Sequence, residues 1–182
     1  MFAPLRKTLR DGTRAAHDRV DAVFDRFALT EREGYGAFLS AHHAALTALP
    51  LEPAPYGLPP IALAPLLAAD LRALGAVPVS GEPLALRGED ERLGAYYVVA
   101  GSRLGARVLE ARWAEATDPV VRRAGRYLSD RTMAAGWTAL GTVLSDEAAL
   151  DGDRVLAGAL AAFGVFERAG RDRLAQRLAG AA

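Results

Sequence analysis

The sequence predicts an all-α protein that folds as a single domain. Ala, Leu, Arg and Glu, which favour helices, are abundant, and apolar residues recur at spacings of three and four. Valine and isoleucine rarely alternate with polar residues, as a half-buried strand would require. At 182 residues the chain is long enough for one substantial core and too short to divide comfortably into two. We therefore predict one helical domain over residues 1–182.

The first helix is predicted from Leu5 onward, because apolar residues repeat along one stripe of a helical surface. The stripe consists of Leu5, Leu9, Ala16, Val20, Phe24 and Phe27. A capping box, in which a Thr oxygen and a Glu carboxylate satisfy exposed N–H groups, is predicted at Thr30 and Glu33. We expect it to open a second helix that runs through Leu46 and ends at Pro50.

A proline-rich connection follows the second helix. Residues 49–60 contain five prolines and one glycine, so we expect an extended loop inside the domain. A third helix is predicted over Pro65–Leu74, and the chain is interrupted again at Gly75, Pro78, Gly81 and Pro83.

After Gly88 a helical period resumes, and this fourth helix has glycines in its interior at Gly94, Gly101 and Gly105. Each interior glycine costs about 0.5–1 kcal/mol relative to alanine, so the last two, four residues apart, indicate that something approaches the backbone closely. A neighbouring helix or a flat ligand would each satisfy that spacing.

Two further helical stretches are predicted, over residues 119–144 and 146–178. The second is rich in arginine. We expect it to pack on the core rather than to form an interface, because it also contains apolar residues that need cover, namely Leu160, Phe163, Val165 and Phe166.

The composition excludes several classes of protein. The 22 basic and 22 acidic side chains cancel, which argues against a nucleic-acid partner. The absence of cysteine excludes disulfides, thiolate-bound zinc, iron–sulfur clusters and a cysteine nucleophile. No apolar run follows the basic residues near the start, so neither a signal peptide nor a membrane anchor is predicted. We expect a soluble, cytoplasmic protein.

His17 lies on the first helix at the edge of the apolar stripe. Asp21 follows at i+4 on the same face, where its carboxylate could accept the Nδ1 proton and leave Nε2 as a metal ligand. The same placement suits a boundary histidine satisfied by its neighbour, so both interpretations stay open. His42 and His43 are adjacent and point about 100° apart on a helix, so we expect them at the surface or its boundary.

These residues indicate a family. The proximal helix of bacterial, biliverdin-producing heme oxygenases resembles the run Leu9-Arg10-x-x-Thr13-x-x-x-His17-x-x-Val20-Asp21-x-x-Phe24. Their second helix is similar to Tyr35-x-x-Phe38-Leu39, and their distal helix to Tyr97-Val98-x-x-Gly101-Ser102-x-Leu104-Gly105-Ala106. The family also places aromatic residues at positions like Gly136-Trp137 and Phe163-x-x-Phe166. The resemblance implies a heme-oxygenase-like helical bundle that holds heme between a proximal and a distal helix.

The resemblance also assigns roles to residues. It implies that His17 ligates the heme iron and that the distal wall where catalysis occurs consists of Gly101, Ser102 and Gly105. Contacts to heme are implied for Arg10, Thr13, Tyr97, Gly101, Gly105 and Ala106, with Arg10 and Tyr97 near the propionates. Ser102 or Arg103 would help to organise water that supplies protons.

The reaction implied is oxygen-dependent cleavage of heme, as both substrate and cofactor, to biliverdin, iron and carbon monoxide. The chain has no flavin or nicotinamide fingerprint, so electrons would come from a ferredoxin or a reductase. A phytochrome is one conceivable acceptor of biliverdin. Two alternatives remain: a non-catalytic heme-binding or heme-sensing protein, and a similar fold that acts on another small molecule.

One position departs from the family. A basic residue near the propionates often follows the tryptophan of the later helix, whereas this chain has Thr138. Either Arg126 or Arg131 substitutes for that residue, or the propionates are held differently. Because the way heme is held fixes which meso edge meets oxygen, the departure bears on regiochemistry.

Overall fold

The computed structural model describes residues 4–180, with side chains over residues 5–179. Across that range the chain is helical and has no strand, which confirms the predicted fold class. The α-helices are α1 (Pro4–Phe24), α2 (Arg32–Ala48), α3 (Leu63–Ala73), α4 (Gly88–Ala114), α5 (Pro119–Arg123), α6 (Arg126–Ser129), α7 (Met133–Val143) and α8 (Gly152–Gly180). Single 3-10 turns lie at Pro55–Gly57 and Glu147–Ala149.

The long helix α8 lies at the centre and packs on α1, α2 and α4. Its crossing with α4 is close enough to require glycine on both helices. A Cβ atom on Gly94 would lie 1.9 Å from the carbonyl oxygen of Val155, and one on Gly158 would lie 1.9 Å from that of Glu91. The two backbones therefore touch, which fixes how α4 is placed relative to the core.

The packing of α8 on the core agrees with prediction. Phe163, Val165 and Phe166 are buried, whereas Leu160 remains 41% exposed. The helix begins at Gly152 rather than at residue 146, because the Asp151 carboxylate accepts a hydrogen bond from the backbone N–H of Arg154 and caps the helix there.

The ends of the first two helices differ from prediction. Helix α1 ends at Phe24, and Phe27 is buried in the turn that follows. Helix α2 begins at Arg32, and no side chain forms a capping hydrogen bond at this end. The prediction of a capping box at Thr30 and Glu33 is therefore wrong. The physical reason is a tight turn: a Cβ atom on Gly34 would lie 2.3 Å from the carbonyl oxygen of Ala28.

The prediction of one continuous helix over residues 119–144 is wrong, because this segment forms three short helices, α5, α6 and α7. A buried carboxylate, Asp70 on α3, accepts a hydrogen bond of 2.8 Å from the backbone N–H of Tyr127. Gly125 lies against the Trp113 ring, which a Cβ atom would approach to 2.4 Å. Contacts from distant parts of the chain therefore break this segment into short helices.

The remaining elements match prediction. Residues 49–60 contain no α-helix, the third helix forms, and α4 is continuous through its glycines. Within residues 4–180 no helix combines the length and apolarity needed to cross a membrane.

Candidate functional site

A cavity of about 1170 Å³ lies between α1 and α4. It exceeds the roughly 300–1,000 Å³ typical of sites for drug-sized ligands. Most of the residues that line it belong to these two helices, and side chains from α2, α6, α7 and α8 complete it. The residues to which the sequence analysis assigned iron ligation, heme contact or catalysis all line this one cavity, namely Arg10, Thr13, His17, Tyr97, Gly101, Ser102, Gly105 and Ala106.

His17 lies on the α1 wall with its imidazole partly open to solvent. Its Nδ1 is 3.1 Å from a carboxylate oxygen of Asp21, and the edge of the Phe163 ring packs against the imidazole at 5.8 Å between centroids. Partial burial raises the pKa of the Asp21 carboxyl, and the nearby His17 opposes that rise. An Nδ1–H that donates to Asp21 fixes the tautomer in which Nε2 has a lone pair for a metal.

The glycines of α4 on the opposite wall are not explained by helix packing. A Cβ atom on Gly105 would meet no atom within 4 Å, and the nearest neighbour of one on Gly101 would be the Trp137 ring at 3.4 Å. Close packing instead occurs at Gly94, on a different part of the same helix. Of the two explanations that the spacing allows, helix packing is therefore wrong for Gly105, which faces open space in the cavity.

The serine and threonine hydroxyl groups that line the cavity are already satisfied by their own helices. Ser102 donates to the carbonyl oxygen of Val99 at 2.7 Å, and Thr13 donates to that of Leu9 at 2.7 Å. Neither hydroxyl proton is available to a ligand while these bonds persist.

His42 and His43 are buried, so their predicted surface or boundary position is wrong. Helix α2 packs on both α3 and α8, which covers more than one of its faces. His43 has its Nδ1 3.1 Å from the carbonyl oxygen of Val79, outside the cavity. His42 lines the part of the cavity wall that α2 and α6 form, which we call the deep wall. The burial of His42 could have been predicted from the sequence, because His42 follows the apolar Phe38 by four residues and so lies on the same face of the helix.

The environment of His42 keeps its ring neutral. Its Nδ1 lies 3.1 Å from the carbonyl oxygen of Phe38, and the ring packs 4.5 Å from that of Phe24. Burial lowers the pKa of His42 to about 4, and the positive charge of Arg103 adds to that effect.

A pH effect on stability follows from the depressed pKa. Between pH 6.5 and about 4 the unfolded chain binds a proton at His42 that the folded chain does not. Stability is therefore lost as the pH falls through this range, by up to about 3 kcal/mol. We expect the free energy of unfolding of His42→Leu, measured by chemical denaturation, to fall less between pH 7 and pH 4.5 than that of the natural chain. Parallel losses in both proteins would contradict the prediction.

Arg103 lines the cavity from α4 and was proposed from sequence as an organiser of water. Its guanidinium carbon lies 4.7 Å from the centre of the Tyr127 ring, and its Nη2 donates to the carbonyl oxygen of Tyr127 at 2.8 Å. Its buried Nε has no hydrogen-bond partner among the described residues. Arg103 therefore holds a buried N–H donor that has no partner in the described part of the chain.

Neither arginine expected to compensate for Thr138 reaches the cavity. Arg126 pairs with the buried Asp70 at 3.3 Å, and Arg131 pairs with Glu110. Sequence reasoning missed several cations that line the cavity, among them Arg6, which lies beside Trp137.

The helices and the cavity together define a class of all-α protein in which two helices enclose a large slot. A solved structure has a similar fold: the heme oxygenase of Neisseria meningitidis, described with NO and CO bound, has a TM-score of 0.74 to this chain. The match covers 93% of this chain and 91% of that chain at 23% sequence identity. The chain therefore has the heme oxygenase fold. No protein-family model matches the sequence, and no curated protein does.

Proposed function

We propose that the protein is a heme oxygenase that binds heme in the cavity between α1 and α4. The observation that supports this most directly is that an imidazole held by Asp21 lies across the slot from a glycine whose Cβ position is empty. Heme needs an axial ligand on one face and room for oxygen on the other. In this proposal His17 would supply the ligand, and the open space at Gly105 would supply the room.

The residues of the slot fit a flat, largely apolar substrate. Phe24, Phe163 and Phe166 line it with aromatic surface, and Gly101 and Gly105 let a planar ring lie against the main chain. His17 would hold the ring through its iron, with Nε2 as the ligating atom. On the α4 side of the slot Ser102 keeps its proton within the helix, and the guanidinium of Arg103 is held by the carbonyl oxygen of Tyr127.

Bound heme would supply the iron at which oxygen is activated. The reaction would cleave the porphyrin to biliverdin with release of iron and carbon monoxide. Since the chain has no flavin or nicotinamide fingerprint, we propose that a ferredoxin or a reductase supplies the electrons.

A single-turnover experiment tests this function. The protein is loaded with one equivalent of hemin and given oxygen and a chemical reductant, with catalase present to remove free peroxide. We expect the heme spectrum to be replaced by that of biliverdin, with release of carbon monoxide and iron. A stable heme complex that yields no biliverdin would overturn the catalytic proposal in favour of a heme-binding or heme-sensing protein.

Asp21→Asn is expected to weaken hemin binding by about tenfold to a hundredfold, the usual effect of removing a carboxylate that orients a metal-bound histidine. The matched control is Asp18→Asn, which makes the same charge change on the same cavity wall. Asp18 makes no hydrogen bond to His17. Titration with hemin, followed by absorbance, measures both. Equal effects of the two substitutions would mean that Asp21 acts only through its charge.

A further inference from the structure

The deep wall of the cavity contains a buried imidazole among aromatic rings. His42 is 9% exposed, and its ring centroid lies between 4.3 and 5.7 Å from those of four neighbours. These neighbours, which line the cavity with it, are Phe24, Phe38, Tyr127 and Phe166. Because a buried polar atom costs free energy unless it has a partner, the partners of the two ring nitrogens decide what this imidazole can bind.

The tautomer of His42 follows from its hydrogen bond to the backbone. Nδ1 lies 3.1 Å from the carbonyl oxygen of Phe38, and a carbonyl oxygen can only accept, so Nδ1 holds the proton and donates it. Burial lowers the pKa of His42 to about 4, so the ring is neutral at pH 7. Nε2 therefore has a lone pair and is a hydrogen-bond acceptor.

This Nε2 atom has no hydrogen-bond partner in the part of the chain that the structure describes. It is not enclosed in the core either. Across the same residues, the one fully enclosed side-chain nitrogen or oxygen without a partner is Nε of Arg103. Since the imidazole lines the cavity, the open side of Nε2 is the cavity space. An N–H group of a ligand can therefore donate to it.

A cation lies beside this acceptor. The guanidinium carbon of Arg103 is 4.7 Å from the centre of the Tyr127 ring, and the His42 ring is 5.4 Å from the same phenol ring. The guanidinium is held there because its Nη2 donates to the carbonyl oxygen of Tyr127 at 2.8 Å. An acceptor next to a cation is complementary to a group that presents an N–H and a carbonyl oxygen side by side.

Heme has no such group, whereas its cleavage product does. In heme all four nitrogens are bonded to iron, and the ring edge away from the two ionised carboxylates is hydrocarbon. Biliverdin is an open chain whose two end rings are lactams, each with an N–H beside a carbonyl oxygen. Of the two molecules, only biliverdin can donate a hydrogen bond to Nε2 of His42.

We propose that His42 accepts a hydrogen bond from a lactam N–H of biliverdin, with Arg103 beside the lactam oxygen. The deep wall is then a subsite for the product rather than for heme. This inference rests on the proposed function, of which biliverdin is the product. The lactam ends are uncharged, so they enter the aromatic part of the cavity at a lower cost in desolvation than the carboxylates would.

The test compares biliverdin and hemin as ligands of the natural chain and of His42→Phe, which keeps an aromatic ring and removes the acceptor. Each ligand is titrated into the free protein, with binding followed by absorbance. We expect His42→Phe to weaken biliverdin binding by about fivefold to a hundredfold, the effect of leaving a buried donor without its partner. Hemin binding should change by less than about twofold, because heme makes no hydrogen bond there.

Two further variants control this comparison. His42→Leu has a smaller side chain than His42→Phe and should weaken biliverdin binding to a similar extent, which excludes an effect of the larger ring. His43→Phe is the matched control, because His43 is buried on the same helix with its Nδ1 3.1 Å from a backbone carbonyl oxygen, but does not line the cavity. It should leave both affinities unchanged. Circular dichroism checks that each variant is folded.

The possible outcomes separate the inference from the proposed function. If the His42 variants weaken both ligands alike, weaken hemin more, or weaken neither, His42 does not bind a lactam and the inference is wrong, although the proposed function stands. The same conclusion follows if the natural chain binds hemin but not biliverdin. If it binds neither ligand, the proposed function and this inference are both overturned.

Discussion

His17→Ala is expected to abolish heme cleavage and to remove or strongly shift the Soret band of the hemin complex. The cavity wall formed by α1 has no second histidine, and His42 is held neutral in the deep wall with its Nδ1 against the carbonyl oxygen of Phe38. Without an axial ligand the iron loses the bond that fixes it in the slot. Absorbance spectroscopy of the hemin-loaded variant, followed by a single turnover, measures both effects.

A control separates loss of the ligand from loss of the fold. The side chain of His17 is 58% exposed, so its truncation should change the free energy of unfolding by no more than about 0.5 kcal/mol. The space left by the ring should admit free imidazole, which we expect to restore the Soret band in part. A variant that keeps the natural spectrum and turnover would show that another residue ligates the iron.

Gly105→Leu is expected to block heme binding while leaving the protein folded. A Cβ atom at this position meets nothing within 4 Å, so a leucine side chain would extend into the space that the substrate needs. Removal of glycine from the interior of a helix should even stabilise the free protein, by about 1 kcal/mol. We expect hemin affinity to fall more than tenfold while the midpoint of thermal unfolding rises or stays the same.

Gly94→Ala is the matched comparison on the same helix. Its Cβ atom would lie 1.9 Å from the carbonyl oxygen of Val155, so the α4–α8 crossing would have to open. We expect a loss of stability of about 1–3 kcal/mol from this overpacking. If Gly105→Leu destabilises the protein as Gly94→Ala does, or binds hemin normally, the glycine at position 105 has no role in admitting a ligand.

The parts of the fold that the sequence predicts are those that local pattern controls. The stripe that begins at Leu5 and the period that resumes after Gly88 predict α1 and α4, the two walls of the cavity. His17 and its partner Asp21 follow from i, i+4 geometry within one helix. Such features need no knowledge of what the helices pack against.

The features that the sequence did not predict depend on contacts between distant segments. The stretch over residues 119–144 is broken because Asp70 binds the backbone of Tyr127 across the core. The glycine spacings on α4 do not reveal that Gly94 faces a helix while Gly105 faces a cavity, because that depends on how α4 crosses α8. Arg6 was missed for the same reason, since its contact with Trp137 joins α1 to α7.

The most direct test of the account is the structure of the hemin complex. We expect the iron to be bonded to Nε2 of His17, with the porphyrin lying against the backbone of α4 at Gly101 and Gly105 and its propionates beside Arg10 and Tyr97. Heme bound outside the cavity between α1 and α4, or with iron ligated by a residue other than His17, would contradict the account.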